Sequence, residues 1–337
     1  MVRYDCDLLI IGAGPAGLSA AINGASELPK VFMIDSGKKK DGGGYRRQLG
    51  GQAIGSSAIK NYPGFPFGAT GCELMARFEK QAIGLGAHVL CPEHAYELKM
   101  DGKWKCVRTR EGSEIIAKTV LLTNGLSYRK MMVPNVHELL GRGVLYGAPT
   151  SNPRALGACR ICIVGGANSA GQAAVHLAQN SEAEIAILVR NPGGIRAGMS
   201  KYLADEIEAC KNVRVIADVS VMRAWGKMRL EGITLGYGDG SSKDHPTDHL
   251  FIFIGAEPKV SWLGPCVRKD PRGFVLTGNR DLGISEGVQR LAFETSLSGV
   301  FAAGDVRFRS VKRVAAGVGE GSAAIGSVHR YLAGNGF

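Results

Sequence analysis

The sequence has no uninterrupted apolar segment that approaches the roughly 20 residues a membrane-spanning helix needs. Its first residues, MVRYDCDLLIIGAG, form a strand-like pattern and lack the ordered basic, apolar and small-residue regions of a signal peptide. The 8 cysteines are scattered through apolar or helical contexts, which is typical of reduced thiols. The sequence therefore predicts a cytoplasmic protein that is neither exported nor associated with a membrane.

The basic residues, which give a formal net charge of +11, do not alternate with aromatic residues in the way that base-stacking surfaces require. They are dispersed, apart from clusters at 38–47 and 307–313. Such a charge suits anionic cofactors or an acidic protein partner. We therefore expect no nucleic-acid partner and no metal site, while an acidic redox protein stays open as a partner.

Two segments of the chain share one plan. Residues 8–25, LLIIGAGPAGLSAAINGA, and 161–178, ICIVGGANSAGQAAVHLA, each read as an apolar strand, a glycine-rich turn and an alanine-rich helix. A second apolar strand follows each of them, at 30–35 and 184–190. Because such βαβ units build dinucleotide-binding folds, the 337 residues predict an α/β protein with two Rossmann-like domains.

The remaining apolar segments indicate that the first domain is discontinuous. Strand patterns at 117–125 and 250–258 flank the second βαβ unit, and GVFAAGDV at 299–306 leads into a helix that runs to about Leu332. We expect the chain to return to its first domain there. The predicted divisions are 1–126 and 252–337 for the first domain and 127–251 for the second. The glycine- and charge-rich segments 36–50 and 236–248 are predicted loops.

The first glycine-rich turn, GAGPAG, has the spacing of a dinucleotide site. Gly12 allows the tight turn, Gly14 lets the backbone approach a pyrophosphate, and Gly17 lets the helix pack on the strand. Asp35 ends the next strand, where its carboxylate can accept hydrogen bonds from ribose hydroxyls. Asp305 is either a second such carboxylate, facing hydroxyls of a flavin, or a simple helix cap.

These segments, with LGGQA, NYPG and the closing helix, resemble the FAD domain of thioredoxin reductase and its low-molecular-weight relatives, in the same order and over nearly the whole chain. The resemblance implies that the first domain, 1–126 with 252–337, is FAD-binding and that the second, 127–251, is NAD(P)H-binding. It also implies hydride transfer from the nicotinamide to flavin N5, and a homodimer. The FAD contacts that it implies are Gly12, Gly14, Pro15, Ala16, Gly17, Asp35, Ser36, Gly51, Gln52, Asn61, Gly125, Gly304, Asp305, Arg313, Val314 and Ala315. One departure is TNG at 123–125, where the family usually has ATG.

The second turn, GGANSAG, is a less regular nicotinamide dinucleotide site. Ala167 stands where the backbone should approach the pyrophosphate, and its methyl group could weaken binding. Arginines in place of an acid after the following strand favour the 2′-phosphate of NADPH over NADH, although they could also be solvated surface residues. The predicted NADPH contacts are Gly165, Gly166, Ala167, Asn168, Ser169, Ala170, Arg190, Arg196 and Gly255.

The only CxxC spacing, Cys159 and Cys162, lies at the strand that enters GGANSAG. A strand separates such α-carbons by about 10 Å, beyond the disulfide limit near 7 Å, so both are predicted to be packing residues. In thioredoxin reductase the redox cysteines precede this unit, and the resemblance places Gly147 and Thr150 at their positions. Segments 168–174, 199–203 and 304–322 also resemble a subgroup that lacks these cysteines.

Three functions remain open from the sequence. The first is a flavin oxidoreductase that delivers electrons from NADPH to an unidentified small molecule or oxygen, and not to thioredoxin. The second is a reductase of an acidic electron carrier, of the ferredoxin-NADP reductase type. The third is a flavin-binding module without turnover. None of them requires a catalytic side chain, and none of the 7 histidines is assigned a role.

Overall fold

The computed structural model describes residues 2–39, 45–56, 59, 61–147, 153–284 and 289–337. The chain divides into two compact units, one formed by 1–127 with 257–337 and the other by 128–256. The predicted domains had placed these divisions at 126/127 and 251/252, so the second unit extends further along the chain than the sequence pattern indicated. Within the described ranges, no helix is both long and apolar enough to cross a membrane.

Strands and helices alternate around the two glycine turns, and a run of consecutive strands follows each of these segments. In chain order the strands are β1 (Val2–Ile11), β2 (Val31–Ile34), β3 (Lys38–Lys39), β4 (Tyr45–Arg46), β5 (His88–Leu90), β6 (Ala95–Asp101), β7 (Trp104–Thr109), β8 (Ser113–Leu122), β9 (Leu126–Tyr128), β10 (Val144–Tyr146), β11 (Arg160–Val164), β12 (Glu184–Val189), β13 (Val213–Ala217), β14 (Val219–Trp225), β15 (Gly232–Tyr237), β16 (Ser242–Pro246), β17 (His249–Ile252), β18 (Ala256–Pro258) and β19 (Val300–Ala302). The helices are α1 (Pro15–Glu27), α2 (Gly71–Gly84), α3 (Asn168–Asn180), α4 (Lys201–Ala209), α5 (Gly278–Leu282) and α6 (Val314–Gly334).

The first unit is built on one sheet with the order β5-β2-β1-β8-β7-β6, and β19 pairs with the last residues of β8. The pairings of β1 with β2 and β8, and of β8 with β19, are parallel. Helices α1 and α6 pack together on one face of the sheet. Because the central strands are covered on both faces, β1 ends in the unbroken apolar run LLII.

The second unit has a parallel sheet with the order β10-β17-β11-β12-β13. Helices α3 and α4 cover one face of it, and the antiparallel sheet β14-β15-β16 contributes its apolar side chains to the other. Parallel strands connected by helices in both units confirm the predicted α/β class with Rossmann-type sheets.

Two local predictions are wrong, and the closing helix begins later than the sequence indicates. The predicted loop 236–248 contains β16, which pairs with β15, and the predicted loop 36–50 contains the paired strands β3 and β4. β16 was missed because most of its side chains are exposed, so no apolar alternation marks it. The closing helix does not follow Asp305 directly, since residues 307–313 intervene before α6 begins at Val314.

Candidate functional site

The glycine turn after β1 leaves room for a pyrophosphate. Gly12 has a φ of +108°, and a Cβ there would lie 2.5 Å from the carbonyl oxygen of Thr123. A Cβ on Gly14, the residue that precedes α1, would meet no described atom within 4 Å. No side chain caps α1, so its first N–H groups are free to bind an anion. The cradle that a side chain at Gly14 would fill therefore suits a phosphate.

Asp35 joins the end of β2 to this turn. Its Oδ2 accepts a hydrogen bond from the N–H of Ala13 at 2.7 Å, and its Oδ1 accepts one from Gly37 at 2.8 Å. Burial raises the pKa of Asp35, while the two N–H groups act in the opposite direction. Since each carboxylate oxygen has a second lone pair, Asp35 can also accept hydrogen bonds from ribose hydroxyls.

The turn after β19 brings a second carboxylate to the same unit. Gly304 has a φ of +74°, and a Cβ there would lie 2.8 Å from that of Ala16 in α1. Asp305 follows in a single 3-10 turn, and burial raises its pKa. Its carboxylate makes no hydrogen bond to a described side chain or N–H group. The alternative interpretation of Asp305 as a cap of the closing helix is wrong, because Arg313 occupies that position.

Other predicted FAD contacts also surround the first turn. The N–H of Gly50 donates to the carbonyl of Ala13 at 2.7 Å, and a Cβ on Gly51 would lie 3.2 Å from the Cα of Gly14. The side-chain amide of Gln52 is engaged, since it donates to the Leu126 carbonyl at 2.6 Å.

The remaining predicted contacts differ in their surroundings. At the start of α6, Arg313 is exposed, whereas Val314 and Ala315 are half-buried. Asn61 is exposed, and no hydrogen bond to a described residue joins it to the first turn.

Asn124 lies against the first turn, whereas the sequence marks it only as a departure from the family pattern. Its Oδ1 is buried and has no hydrogen-bond partner among the described residues. A Cβ on Gly12 would lie 2.9 Å from the Cα of Asn124, so the two turns are in contact. A polar residue two positions after the buried strand β8 was the available signal, because ligands bind beyond the carboxyl ends of parallel strands.

The glycine turn of the second unit resembles the first in its backbone. Gly165 has a φ of +148°, and a Cβ there would lie 2.6 Å from the carbonyl oxygen of Phe253. Ala167 precedes α3 as Gly14 precedes α1, and both are extended, with φ of −105° and −77°. Alanine therefore adopts this conformation without strain. Its exposed methyl group is the only difference at the position where a pyrophosphate would approach.

The neighbouring residues keep the N-terminus of α3 accessible. Asn168 and Ser169 are exposed and Ala170 is buried. The Oδ1 of Asn168 accepts a hydrogen bond from the N–H of Ser200 at 2.8 Å. A Cβ on Gly198 would lie 2.5 Å from the carbonyl oxygen of Gly166, so segment 198–200 lies against the turn.

The two arginines proposed for NADPH differ in their surroundings. Arg196 donates to Asp205 at 2.7 Å and to Glu208 at 2.6 Å, and these hydrogen bonds raise the pKa of its guanidinium further. Arg190 is exposed directly after β12. Because carboxylates already neutralise Arg196, Arg190 is the better placed of the two to meet an added phosphate. Gly255, with a φ of +97°, accepts a hydrogen bond from the N–H of Arg129 at 3.0 Å.

All 8 cysteines are free thiols. Cys162 on β11 packs towards the antiparallel sheet, whereas Cys159, one residue before β11, packs on the side of α3. Burial raises the pKa of both thiols, to about 11 for Cys162. Gly147 follows β10 with a φ of +84°, and a Cβ there would lie 3.8 Å from the hydroxyl of Tyr128. Thr150 lies outside the described residues.

The family pattern of pyridine nucleotide-disulphide oxidoreductases matches residues 6–321. The chain belongs to this family. The matched range includes both glycine turns and the Gly304–Asp305 turn. Enzymes of its thioredoxin reductase type use FAD and NADPH.

Several relatives within this family carry the name thioredoxin reductase. The chain is 30% identical over 340 residues to thioredoxin reductase of Peptoclostridium acidaminophilum, covering 98% of each chain. It is 31% identical over 330 residues to the bifunctional thioredoxin reductase/thioredoxin of Mycobacterium leprae, where it covers 97% of its own length and 66% of that protein. It is also 26% identical over 340 residues to a "34.2 kDa protein in rubredoxin operon" of Clostridium pasteurianum, covering 97% of both.

Solved structures of thioredoxin reductases share the fold. That from Streptococcus pyogenes has a TM-score of 0.75 at 27% identity, with 98% of this chain and 99% of that chain covered. That from T. acidophilum has a TM-score of 0.67 at 26% identity, with 97% and 98% covered. The chain is therefore an oxidoreductase of the thioredoxin reductase type.

Proposed function

We propose that this protein is an FAD-dependent NADPH oxidoreductase that has no redox-active disulfide and reduces an acceptor other than thioredoxin. The observation that carries the proposal is Gly147, which stands where the resemblance to thioredoxin reductase places the first redox cysteine. Glycine supplies neither a nucleophile nor a leaving group for thiol–disulfide exchange. Thr150, at the position of the second cysteine, has no sulfur either.

The first unit offers groups for each part of FAD. The N–H groups at the start of α1 would bind the pyrophosphate, and Asp35 would accept hydrogen bonds from the adenosine ribose. Asp305, whose carboxylate lacks a described partner, would accept from the ribityl hydroxyls. The positive end of the α6 dipole would stabilise negative charge on the ring system. When bound, FAD supplies two-electron chemistry, because its ring takes up a hydride from a nicotinamide.

The second unit would hold the pyrophosphate of NADPH at the start of α3, and Arg190 would pair with the 2′-phosphate. The exposed methyl group of Ala167 makes this the weaker of the two sites. It also supports the alternative of a flavin-binding module without turnover. Oxidation of NADPH by the protein decides between these two functions.

Anaerobic addition of NADPH to the purified yellow protein tests the proposal directly. We expect the flavin absorbance to bleach, and to bleach more slowly with NADH because NADH lacks the 2′-phosphate. If neither nucleotide bleaches the flavin over hours at saturating concentration, the protein has no nicotinamide-dependent reductase activity and the module without turnover is the better description.

A second assay concerns the missing dithiol. We expect no NADPH-dependent reduction of thioredoxin, because Cys159 and Cys162 are free thiols whose pKa burial raises, whereas a redox CxxC needs a lowered pKa. The matched variant carries Cys159→Ala and Cys162→Ala together. Thioredoxin turnover that persists in this variant would disprove the absence of a working dithiol, and turnover abolished by it would identify this pair as catalytic.

A reductase of an acidic electron carrier is the second candidate. The net charge of +11 favours it, and one relative is named for a rubredoxin operon. The basic segment 307–313 gives it less support than its sequence indicated. Arg307 pairs with Glu320, Arg309 lies 3.6 Å from Asp281, and Lys312 donates to the Asp305 carbonyl at 2.7 Å.

A further inference from the structure

The turn that presents Asp305 is held by a side chain from α6. The N–H of Gly304 donates to Oε2 of Glu320 at 2.8 Å, although the two residues lie 16 positions apart. Arg307 donates to both oxygens of the same carboxylate, through Nε at 3.0 Å and Nη2 at 2.8 Å. Its guanidinium also lies over the ring of Phe293, 5.4 Å from the centroid.

The ion pair is largely withdrawn from solvent, since the side chains of Arg307 and Glu320 are 18% and 15% exposed. Burial alone would raise the pKa of Glu320, but the hydrogen bonds and charge of Arg307, with the N–H of Gly304, hold that pKa below its usual value. Glu320 therefore stays ionised and keeps the peptide before Asp305 in one orientation.

A second glutamate likewise binds a glycine N–H group at the other end of β19. Glu294 accepts a hydrogen bond from the N–H of Gly299 at 3.0 Å and pairs with Arg290 at 3.3 Å. This pair is buried at least as well, with exposed fractions of 18% for Arg290 and 5% for Glu294. Gly299 precedes the amino end of β19, whereas Gly304 follows its carboxyl end, where Rossmann folds bind ligands. A comparison of the two ion pairs therefore distinguishes an effect on strand β19 from an effect on the Gly304–Asp305 turn.

We propose that Glu320, held by Arg307, is a positioning residue that orients the Gly304–Asp305 turn to receive FAD, a role that rests on the proposed function. Loss of the ion pair leaves the fold in place but allows the turn to rotate. Asp305 then meets the ribityl hydroxyls less often in the binding orientation.

The first experiment compares Glu320→Gln with the matched variant Glu294→Gln in the full-length protein. The hydrogen bonds with measured distances to these carboxylates come from N–H groups, and the hydroxyl of Ser310 also acts on Glu320. The amide nitrogen of glutamine therefore faces at least one N–H donor in both variants. FAD is removed and titrated back, and its Kd is followed by flavin fluorescence. We expect Kd to rise about tenfold in Glu320→Gln and to stay within about twofold in Glu294→Gln. Circular dichroism of the FAD-free variants checks that both fold.

The second experiment uses the pH dependence of FAD affinity, which support of the fold alone would not move. Among the described residues, the charged side chains that act on Asp305 are Lys312, from the segment before α6, and Glu320. On the side of α1, the neighbour that a Cβ on Gly304 would meet is the uncharged Ala16. FAD binding weakens at low pH as Asp305 takes up a proton and ceases to be a full acceptor. Glu320→Gln removes a negative neighbour and lowers the pKa of Asp305, so this loss moves to lower pH.

Arg307→Met has the opposite effect and keeps the bond from Gly304 to Glu320. It leaves the charge of Glu320 without its neutralising partner, so the loss of FAD affinity moves to higher pH. Shifts in the same direction in both variants, or an unchanged Kd in Glu320→Gln, would overturn the role of Glu320. If the unaltered protein and Glu294→Gln bind no FAD at all, it is the proposed function that fails.

Discussion

At the scale of a residue, Ala167 is what distinguishes the proposed NADPH site from the first glycine turn. Its backbone conformation matches that of Gly14 in the first unit, so the chain does not need glycine there for the turn itself. A Cβ at Gly14 would point into open space, and the methyl group of Ala167 occupies the corresponding position. The cost of alanine therefore falls on the ligand and not on the fold.

We predict that Ala167→Gly lowers KM for NADPH by about three- to tenfold, because the backbone can then approach the pyrophosphate. Helix α3 should keep its stability, since glycine is at least as good as alanine at this position. Steady-state kinetics with both nucleotides provide the control. The pyrophosphate is common to NADPH and NADH, so KM should fall for both, whereas Arg190→Ala should raise it for NADPH alone. An unchanged KM in Ala167→Gly would mean that the methyl group does not meet the pyrophosphate.

Lys105 shows at the scale of an element how a sheet is joined to its covering helix. It lies on β7 with no exposed surface, and burial lowers the pKa of its ammonium group. The Nζ donates to the carbonyls of Lys103 and Lys118, at 2.9 and 2.8 Å, and to the hydroxyl of Tyr331 in α6 at 2.9 Å. Three acceptors on three segments therefore depend on one cation.

We predict that Lys105→Met lowers the free energy of unfolding by about 2–4 kcal/mol, because methionine fills the space but leaves buried acceptors without a donor. Chemical denaturation monitored by circular dichroism measures this. Lys99→Met on the neighbouring strand β6 is the control, since Lys99 pairs with Glu97 at the surface and should change stability by less than about 0.5 kcal/mol. Equal effects of the two substitutions would show that the buried hydrogen bonds of Lys105 do not stabilise the protein.

The net charge of +11 acts at the scale of the whole molecule, where it favours encounters with acidic proteins. In the structure, several basic side chains are already paired and are less available to attract an acidic protein. In segment 307–313, Arg307 and Arg309 face carboxylates and Lys312 binds carbonyls, whereas Arg313 is exposed. Attraction of a partner would therefore come mainly from basic residues outside this segment, which include the cluster at 38–47.

If the acceptor is an acidic carrier protein, turnover should fall about tenfold between roughly 50 and 500 mM salt, because salt screens long-range attraction. Turnover of an uncharged quinone by the same preparation is the control and should change by less than about twofold, since no charge steers its approach. A similar salt dependence for both acceptors would place the effect in NADPH binding, and no dependence for either would exclude the acidic carrier.

The sequence by itself determined the α/β fold, its Rossmann-type sheets and the residues of both glycine turns. These follow from local rules, because buried parallel strands are continuously apolar and a tight turn needs glycine at fixed spacing. The same rules do not predict the polar strand β16, because its mostly exposed side chains show no apolar alternation. The late start of α6 was missed as well, because no proline or strong capping residue marks Arg313 as its boundary.

Only the tertiary structure decided how distant charges combine. It placed Glu320 on Gly304, paired Arg196 with carboxylates of α4, and left Oδ1 of Asn124 buried without a described partner. Such contacts join residues far apart in sequence. The identity of a charged residue does not show whether its side chain faces solvent, a ligand or an opposite charge. The physical reason is that burial and pairing are properties of the packed molecule, whereas strand and turn signals belong to neighbouring residues.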